Sequence, residues 1–320
     1  MKSIFSLLVV WLALACTSAH AAAPYPTRPI RVVVPTGAGG ITDILARILA
    51  DKLSPALGQP VVVDNRTGAG GIIGTEIVAK AAPDGHTVLF VFPSHVLNPS
   101  FYPSLPYDTI NDFDPITIVS YVTSVLFVNA SVPVKSVSEL IALAKAKPGY
   151  INYGATRASL GHLSAELFAS LAAIKIVNVS YRSAPQRDVA VMSGEIHLGL
   201  NVPMSVMPLL KTGKVRVLGV TSKERIADMP DIPTIAEAGL PGYEADGWNG
   251  VLAPAKTPQA IINQLHGEIV KVLRSRDVVQ LLAAQGVYPV GNTPVEFAAI
   301  IKNDVEKWAR VIKSAGININ

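Results

Sequence analysis

The stretch RVVVPTGAGGITD, Arg31 to Asp43, decides how the rest of the chain is read. Val32, Val33 and Val34 form a short β-branched run suited to a buried strand, and Pro35 ends its hydrogen-bond ladder. Gly37, Gly39 and Gly40, with Thr36 and Ala38 beside them, allow a tight turn whose N–H groups face outward. Thr42 and Asp43 then open a segment, Ile44 to Leu53, whose apolar spacing is helical. A glycine turn feeding a helix N-terminus is an anion cradle, because unpaired amides and the positive end of the macrodipole converge there.

The same device returns about one βα unit later in VVVDNRTGAGGIIGTEIVAKAA, Val61 to Ala82. Thr67, Gly68, Ala69, Gly70, Gly71 and Gly74 lie between its strand and its helix. Two such turns in succession place two helix N-termini side by side at the carboxyl edge of a parallel sheet. Glycine is also what short βα turns ordinarily contain, but repetition of the G-A-G-G string favours binding over mere turning.

Upstream, Lys2 precedes an apolar run, Ile4 to Cys16, too short to span a bilayer and followed by Ala19, Ala21, Ala22 and Ala23. Residues 1–23 are expected to be a secretory signal peptide, cut after Ala21 or Ala23. Lipid attachment at Cys16 ranks lower, since Ala13 stands where a lipoprotein signal usually has leucine. No later stretch is apolar and long enough for a membrane span, so a soluble, exported mature protein is expected. Cys16 is the only cysteine and leaves with the signal, so the fold must rest on its core rather than on disulfides. The formal charge of +4 falls to +3 without Lys2, and with no dense basic run and only 6% aromatic residues, nucleic acid is not an expected partner.

Downstream, Thr87 to Phe92 is a third strand, followed by an irregular, proline-bearing segment from Pro93 to Pro106, then strands at Asp114 to Val119 and Val125 to Asn129. The last has no helix before it, which marks a crossing into a second lobe. There the βα rhythm restarts, with a capping box at Ser136 and Glu139 and a helix from Val137 to Ala146. Strands at 151–153, 175–179, 197–200 and 215–220 then alternate with helices at 160–171, 185–192 and 204–210. Thr234 and Glu237 form another capping box, expected to start a short helix. Gly250 to Ala253 reads as a strand returning to the first lobe, and helices follow, one from Pro258 to Arg274 and one opened by Thr293, Pro294 and Glu296. Crossings near 125 and 250 imply two βαβ domains, 24–124 plus 250–320 and 125–249, joined by a double-strand hinge.

Taken together, YPTRPIRVVVPTGAGGITD, VVVDNRTGAGGIIGT, HLSAELF, PDIPTIAEAGLPGYEADGWNGVLAPAKTP and TPVEFAAIIKNDVEKWARVIKSAGI resemble, in order and over nearly the whole mature chain, one family. It is that of the extracytoplasmic solute receptors of tripartite tricarboxylate transporters, the Bug proteins. The resemblance implies an α/β fold of the two-lobed periplasmic binding protein type (type II, Venus flytrap), without cofactor, metal or catalytic residue. Such a protein closes over a small carboxylated solute in the periplasm and presents it to a membrane permease, here as a monomer. In that family the two glycine turns hold one carboxylate through backbone amides and bridging water; matched here, they are Thr36 to Asp43 and Thr67 to Gly71.

Departures from the family pattern bear on the ligand. Thr36 replaces the usual aromatic residue after the proline. The loop after Tyr153 and Gly154 reads ATRASLG, so that Ala155, Thr156, Arg157 and Ser159 approach His162 with an arginine among them. The usual Y-K-G reads Tyr181, Arg182, Ser183, and Leu200 replaces an acidic residue before Asn201. Two added guanidiniums and one lost carboxylate favour an anionic second end on the ligand. A dicarboxylate or aromatic carboxylate is expected, with Arg157 ahead of Arg182 as its partner. A lone loop arginine is, however, most often solvated.

Two rival readings remain. Val32 to Gly40 followed by Asp64 imitates a dinucleotide-binding unit of an oxidoreductase, but G-x-G-x-x-G would need glycine at Thr42 or at Ile73. Ser159 imitates a hydrolase nucleophile, but Arg157 stands where an elbow needs glycine. His162, four residues before Glu166, reads as structural, and Trp248 and Asn249 as hinge packing rather than cleft lining.

Overall fold

The computed structural model describes residues 25–155, 159–181, 183–227, 229–283 and 287–317. The expected signal segment with Cys16, and Thr156, Arg157 and Arg182 of the expected site, lie outside them.

Strands β1 (Ile30–Val34), β2 (Val61–Asn65), β3 (Thr87–Val91), β4 (Phe113–Val122), β10 (Gly247–Pro254) and β11 (Tyr288–Pro289) form one sheet, in the order β11-β4-β10-β3-β1-β2. Strands β5 (Val125–Asn129), β6 (Asn152–Ala155), β7 (Val177–Ser180), β8 (Leu198–Asn201) and β9 (Val215–Val220) form the other, in the order β7-β6-β8-β5-β9. Each sheet has three parallel strands with the first in the middle, then an antiparallel strand, followed by two further strands (β4 and β11) in the first sheet and one (β9) in the second. This is the two-lobed α/β fold expected from the rhythm of the sequence.

Register fixes how the lobes face each other. Gly250, near the start of β10, lies opposite Val91 at the end of β3. Val125, which begins β5, lies opposite Asn201 at the end of β8. The carboxyl ends of the parallel strands in both sheets therefore point toward the same hinge, where loops from both lobes can meet one solute.

The helices follow from apolar spacing and caps. Helix α1 (Ile41–Leu57) buries Leu45, Leu49 and Leu53 in a cluster with Val32, Val61, Leu265 and Ile269. Helix α2 (Ile72–Ala79) follows the second glycine turn. The second lobe carries α4 (Val137–Ala146), α5 (Leu160–Ala172), α6 (Ala184–Ser193) and α7 (Pro203–Leu210), all close to their expected limits. After β10 come α8 (Gln259–Arg274), a short α9 (Arg276–Ala283) and α10 (Pro294–Ala315), the last with a complete capping box at Thr293 and Glu296.

Two local expectations are corrected. Residues 94–101 form a helix, α3 (Ser94–Phe101), where proline content predicted irregular chain. Tertiary packing overrides propensity here: His95 is buried against Tyr107 and Phe113, and its Nε2 bonds Thr109 O at 3.0 Å. Conversely, the reciprocal bonds of Thr234 and Glu237 form at 3.0 Å, yet turns follow instead of a helix. Pro241 and the positive φ of Gly239 and Gly242 stop propagation.

The hinge carries a half-buried acid. Asp246 accepts from Thr123 Oγ1 at 2.9 Å, on the outgoing crossing, and from Thr221 Oγ1 at 2.8 Å, just past β9. Thr221 also ties down Ser124 and Ala245 through its backbone, so one hydroxyl-rich knot holds both crossings. Burial pushes the Asp246 carboxyl up to about 7, against the lowering effect of the Thr221 and Thr123 hydrogen bonds. Trp248 is buried against Phe297 and donates Nε1–H to Asp304 at 2.8 Å.

Candidate functional site

Loop one runs from the end of β1 into α1, and Gly37, Ala38, Gly39, Gly40 and Ile41 are all exposed. Its shape is set from inside. Asp43, almost completely buried, accepts from Gly39 N at 2.9 Å, Arg47 Nε at 3.0 Å and Asn65 Nδ2 at 2.9 Å. Burial alone would raise its pKa, but bonds from Arg47, Gly39 and Asn65 hold the carboxyl below its usual range. Asn65, at the end of β2, also donates to Thr36 O at 3.0 Å, so the second strand braces the first loop. Thr42 is buried and donates to Asn249 Oδ1 of β10 at 3.2 Å. Thr42 and Asp43 therefore shape the loop from beneath, and the exposed surface of the cradle is backbone. The first turn of α1 supplies N–H groups without intrahelical partners.

Loop two is a run of left-handed backbone. Gly68, Ala69, Gly70 and Gly71 have φ of 131°, 46°, 65° and 93°. A Cβ on Gly68 would lie 2.5 Å from Ile73 Cδ1, so glycine is dictated there by contact as well as by φ. Asn98 of α3 holds the turn by donating to Gly70 O at 3.2 Å, and Thr75 Oγ1 bonds Gly71 O at 2.9 Å. Thr67, Ala69 and Gly70 remain exposed. The loops are brought together at Gly74: a Cβ there would lie 2.7 Å from Arg66 O and 2.8 Å from Pro35 Cβ. Successive N–H groups in such turns make an anion-binding nest.

Phe92, Asn98 and Tyr102 surround this second turn and escaped the sequence reading. A Cβ on Gly71 would meet Phe92 Cε1 at 3.0 Å, and one on Gly70 would meet Tyr102 Oη at 3.5 Å. The proline-rich look of residues 93–106 hid the helix that delivers Asn98 and Tyr102.

Across the hinge, Ala155 ends β6 and Asn201 ends β8. Ser159 caps α5, accepting from His162 N at 3.3 Å, and Ser183 is the N-cap of α6. His162 is buried, with Nε2 3.9 Å from Glu166 Oε1, and Glu166 also accepts from Tyr153 Oη. The Asn201 side chain is engaged at both ends, Nδ2 to Asp188 Oδ2 at 2.6 Å and Oδ1 from Val202 N at 2.9 Å.

The acid that completed the imitation of a dinucleotide-binding unit is otherwise occupied. Asp64 Oδ2 accepts from Arg31 Nε at 2.7 Å and Arg66 Nε at 3.0 Å. A cavity of about 890 Å³ lies between α10 and the second half of α5, with Asp246 and Glu244 in its wall. None of its lining residues belongs to either glycine loop. Among the described residues no group of three or more His, Cys, Asp or Glu is arranged to hold a metal, and no helix is long and apolar enough to cross a membrane.

Comparison with known proteins bears on the family and the fold. The chain is 36% identical to protein BugT of Bordetella pertussis, over all of this chain and 99% of that one. Among solved structures it resembles R. palustris Rpa4515 with adipate (36% identity, TM-score 0.73, covering 92% of this chain and 99% of that one). It also resembles MatC from Rhodopseudomonas palustris with bound malate (29%, 0.69, 90% and 100%). A TctC solute-binding protein from Polaromonas without ligand gives 27% identity and a TM-score of 0.84, over 91% and 99%. The family model for the tripartite tricarboxylate transporter family receptor, TctC, matches residues 45–317, and the chain belongs to that family.

Proposed function

We propose that this receptor captures a small dicarboxylate or aromatic carboxylate in the periplasm by closing its two lobes, and delivers it to a tripartite tricarboxylate-type permease without chemical change. The observation that carries the reading is the pair of exposed amide nests, braced from beneath by Asp43, Asn65 and Asn98. They lie at the carboxyl edge of the first sheet, toward the second lobe. The lobe division at 24–124 plus 250–320 and 125–249 gives the closure its two bodies. The adipate and malate carried by two similar proteins are both dicarboxylates, which supports the favoured class.

The energetics are sufficient. Micromolar affinity needs about 8 kcal/mol, and hydrogen bonds to a charged group contribute about 1.5–3 kcal/mol each. Several such amide bonds together are of the order required.

The test is a thermal-shift screen of the mature protein against mono-, di- and tricarboxylates and aromatic acids. A ligand at about one hundred times its Kd stabilises by about 2.7 kcal/mol. Dicarboxylates or aromatic acids are expected to raise the melting temperature by several degrees while uncharged amide analogues leave it unchanged. Equal shifts for acid and amide would refute recognition by anion nests.

A further inference from the structure

The geometry points to Arg187 as the residue that receives the second carboxylate, a role that rests on the reading above and sharpens it to dicarboxylates. Arg187 lies in α6, is only 7% exposed, and has a seat built for it in the sheet. A Cβ on Gly154 of β6 would stand 2.5 Å from Arg187 Cγ, so residue 154 must be glycine for the arginine stem to lie there.

The guanidinium is oriented by a relay. Its Nε and Nη2 both donate to Asp188 Oδ1, at 3.0 and 2.8 Å, while Asp188 Oδ2 accepts from Asn201 Nδ2. Asn201 in turn accepts from Val202 N, which anchors the relay to the backbone at the end of β8. Asn201 pairs with Val125, the first residue past the hinge, so the cluster stands on the edge of the second sheet that faces the glycine loops.

One edge of the guanidinium is thus filled and another is not. Among the described residues nothing accepts from Nη1, and Nη1 is not one of the polar atoms sealed from solvent without a partner. An arginine held through Nε and Nη2 keeps its Nη1–Nη2 edge for a second, bidentate carboxylate. Asp188 and Asn201 are positioning residues: together they hold the fork, and Asp188 neutralises its charge while the site is empty. A monocarboxylate would fill the glycine nests and leave this edge to water.

Removing Arg187 alone would strand Asp188 as a buried charge, so the variant of choice is Arg187→Gln with Asp188→Asn, which removes both charges and keeps the shapes similar. Titration calorimetry would compare adipate with hexanoate and succinate with butyrate, on the parent and on the double variant. The parent is expected to bind at least one dicarboxylate more tightly than its monocarboxylate partner. The double variant is expected to lose tenfold or more for the diacid and less than twofold for the monoacid. Equal losses for both acids, or no loss for the diacid, would overturn the assignment of Arg187 while leaving the glycine-loop reading intact. A parent that binds none of the four acids would overturn both. Arg187→Lys, which keeps the charge and the ion pair but not the fork, is expected to weaken the diacid selectively; full retention of diacid affinity would count against a bidentate contact.

Discussion

Gly74→Ala is expected to destabilise the fold by about 2 kcal/mol and to weaken carboxylate binding by about tenfold or more. The added methyl would sit 2.7 Å from the Arg66 carbonyl oxygen, 2.8 Å from Pro35 Cβ and 3.0 Å from Pro35 Cα. None of these atoms is the far end of a flexible side chain, so α2 must retreat from the end of β1. That retreat separates the two nests, which is why binding falls together with stability. Gly37→Ala is the contrast. Gly37 has no neighbour within 4 Å for a Cβ and no positive φ, so stability should stay within about 0.5 kcal/mol of the parent. Thermal denaturation of both variants, with and without ligand, separates the cases. A Gly74→Ala protein as stable as Gly37→Ala would show that the loops do not depend on this close approach.

The second large effect is a pH dependence centred on Asp246. Its folded value of about 7 lies above the ordinary 3.8, so the native state binds the proton more tightly than the unfolded chain. The stability this confers is fully present below pH of about 4 and is lost as pH rises through about 7. A shift of about three units corresponds to roughly 4 kcal/mol between those limits. Glu244 adds to the upward shift and Lys307 opposes it, and both line the cavity that Asp246 borders. Asp246→Asn keeps an acceptor for the threonines and cannot ionise. Scanning calorimetry from pH 4 to 9 should therefore find the variant gaining on the parent as pH rises, and more stable above pH 7. Parallel curves for the two proteins would show that the hinge carboxyl does not titrate in this range. Asp43 has the opposite sign: its lowered value means that its support of loop one is lost only as pH falls below the usual carboxylate range.

Much of this architecture was legible in the sequence because it rests on local signals. The Val32–Val34 run, the twin G-A-G-G turns and the capping box at Thr293 and Glu296 each specify backbone within a few residues, and each formed where expected. Val125–Asn129 is a strand that no helix precedes, and it stands in the other sheet from β4. What escaped notice depends on distant partners. Helix α3 forms over Pro99 because His95 finds an aromatic pocket and Asn98 finds Gly70, neither visible from composition. Thr234 and Glu237 made their reciprocal bonds but had no helix to cap, because Pro241 and two left-handed glycines follow. In the site, the sequence named residue types but could not show their depth. Thr42 and Asp43 are buried, and their side chains, like that of Asn201, are hydrogen-bonded within the protein. Arg187 went unremarked because an arginine inside a helix carries no motif; its importance depends on Gly154, thirty-three residues away.

The most direct test of the central proposal is a crystal structure of the mature protein saturated with a dicarboxylate that it binds. One carboxylate should lie within hydrogen-bond distance, about 2.7–3.2 Å, of main-chain nitrogens in Thr36–Gly40 and Thr67–Gly71, directly or through a single ordered water. Glycine loops left unoccupied, with the acid lodged instead in the cavity between α10 and α5, would contradict it.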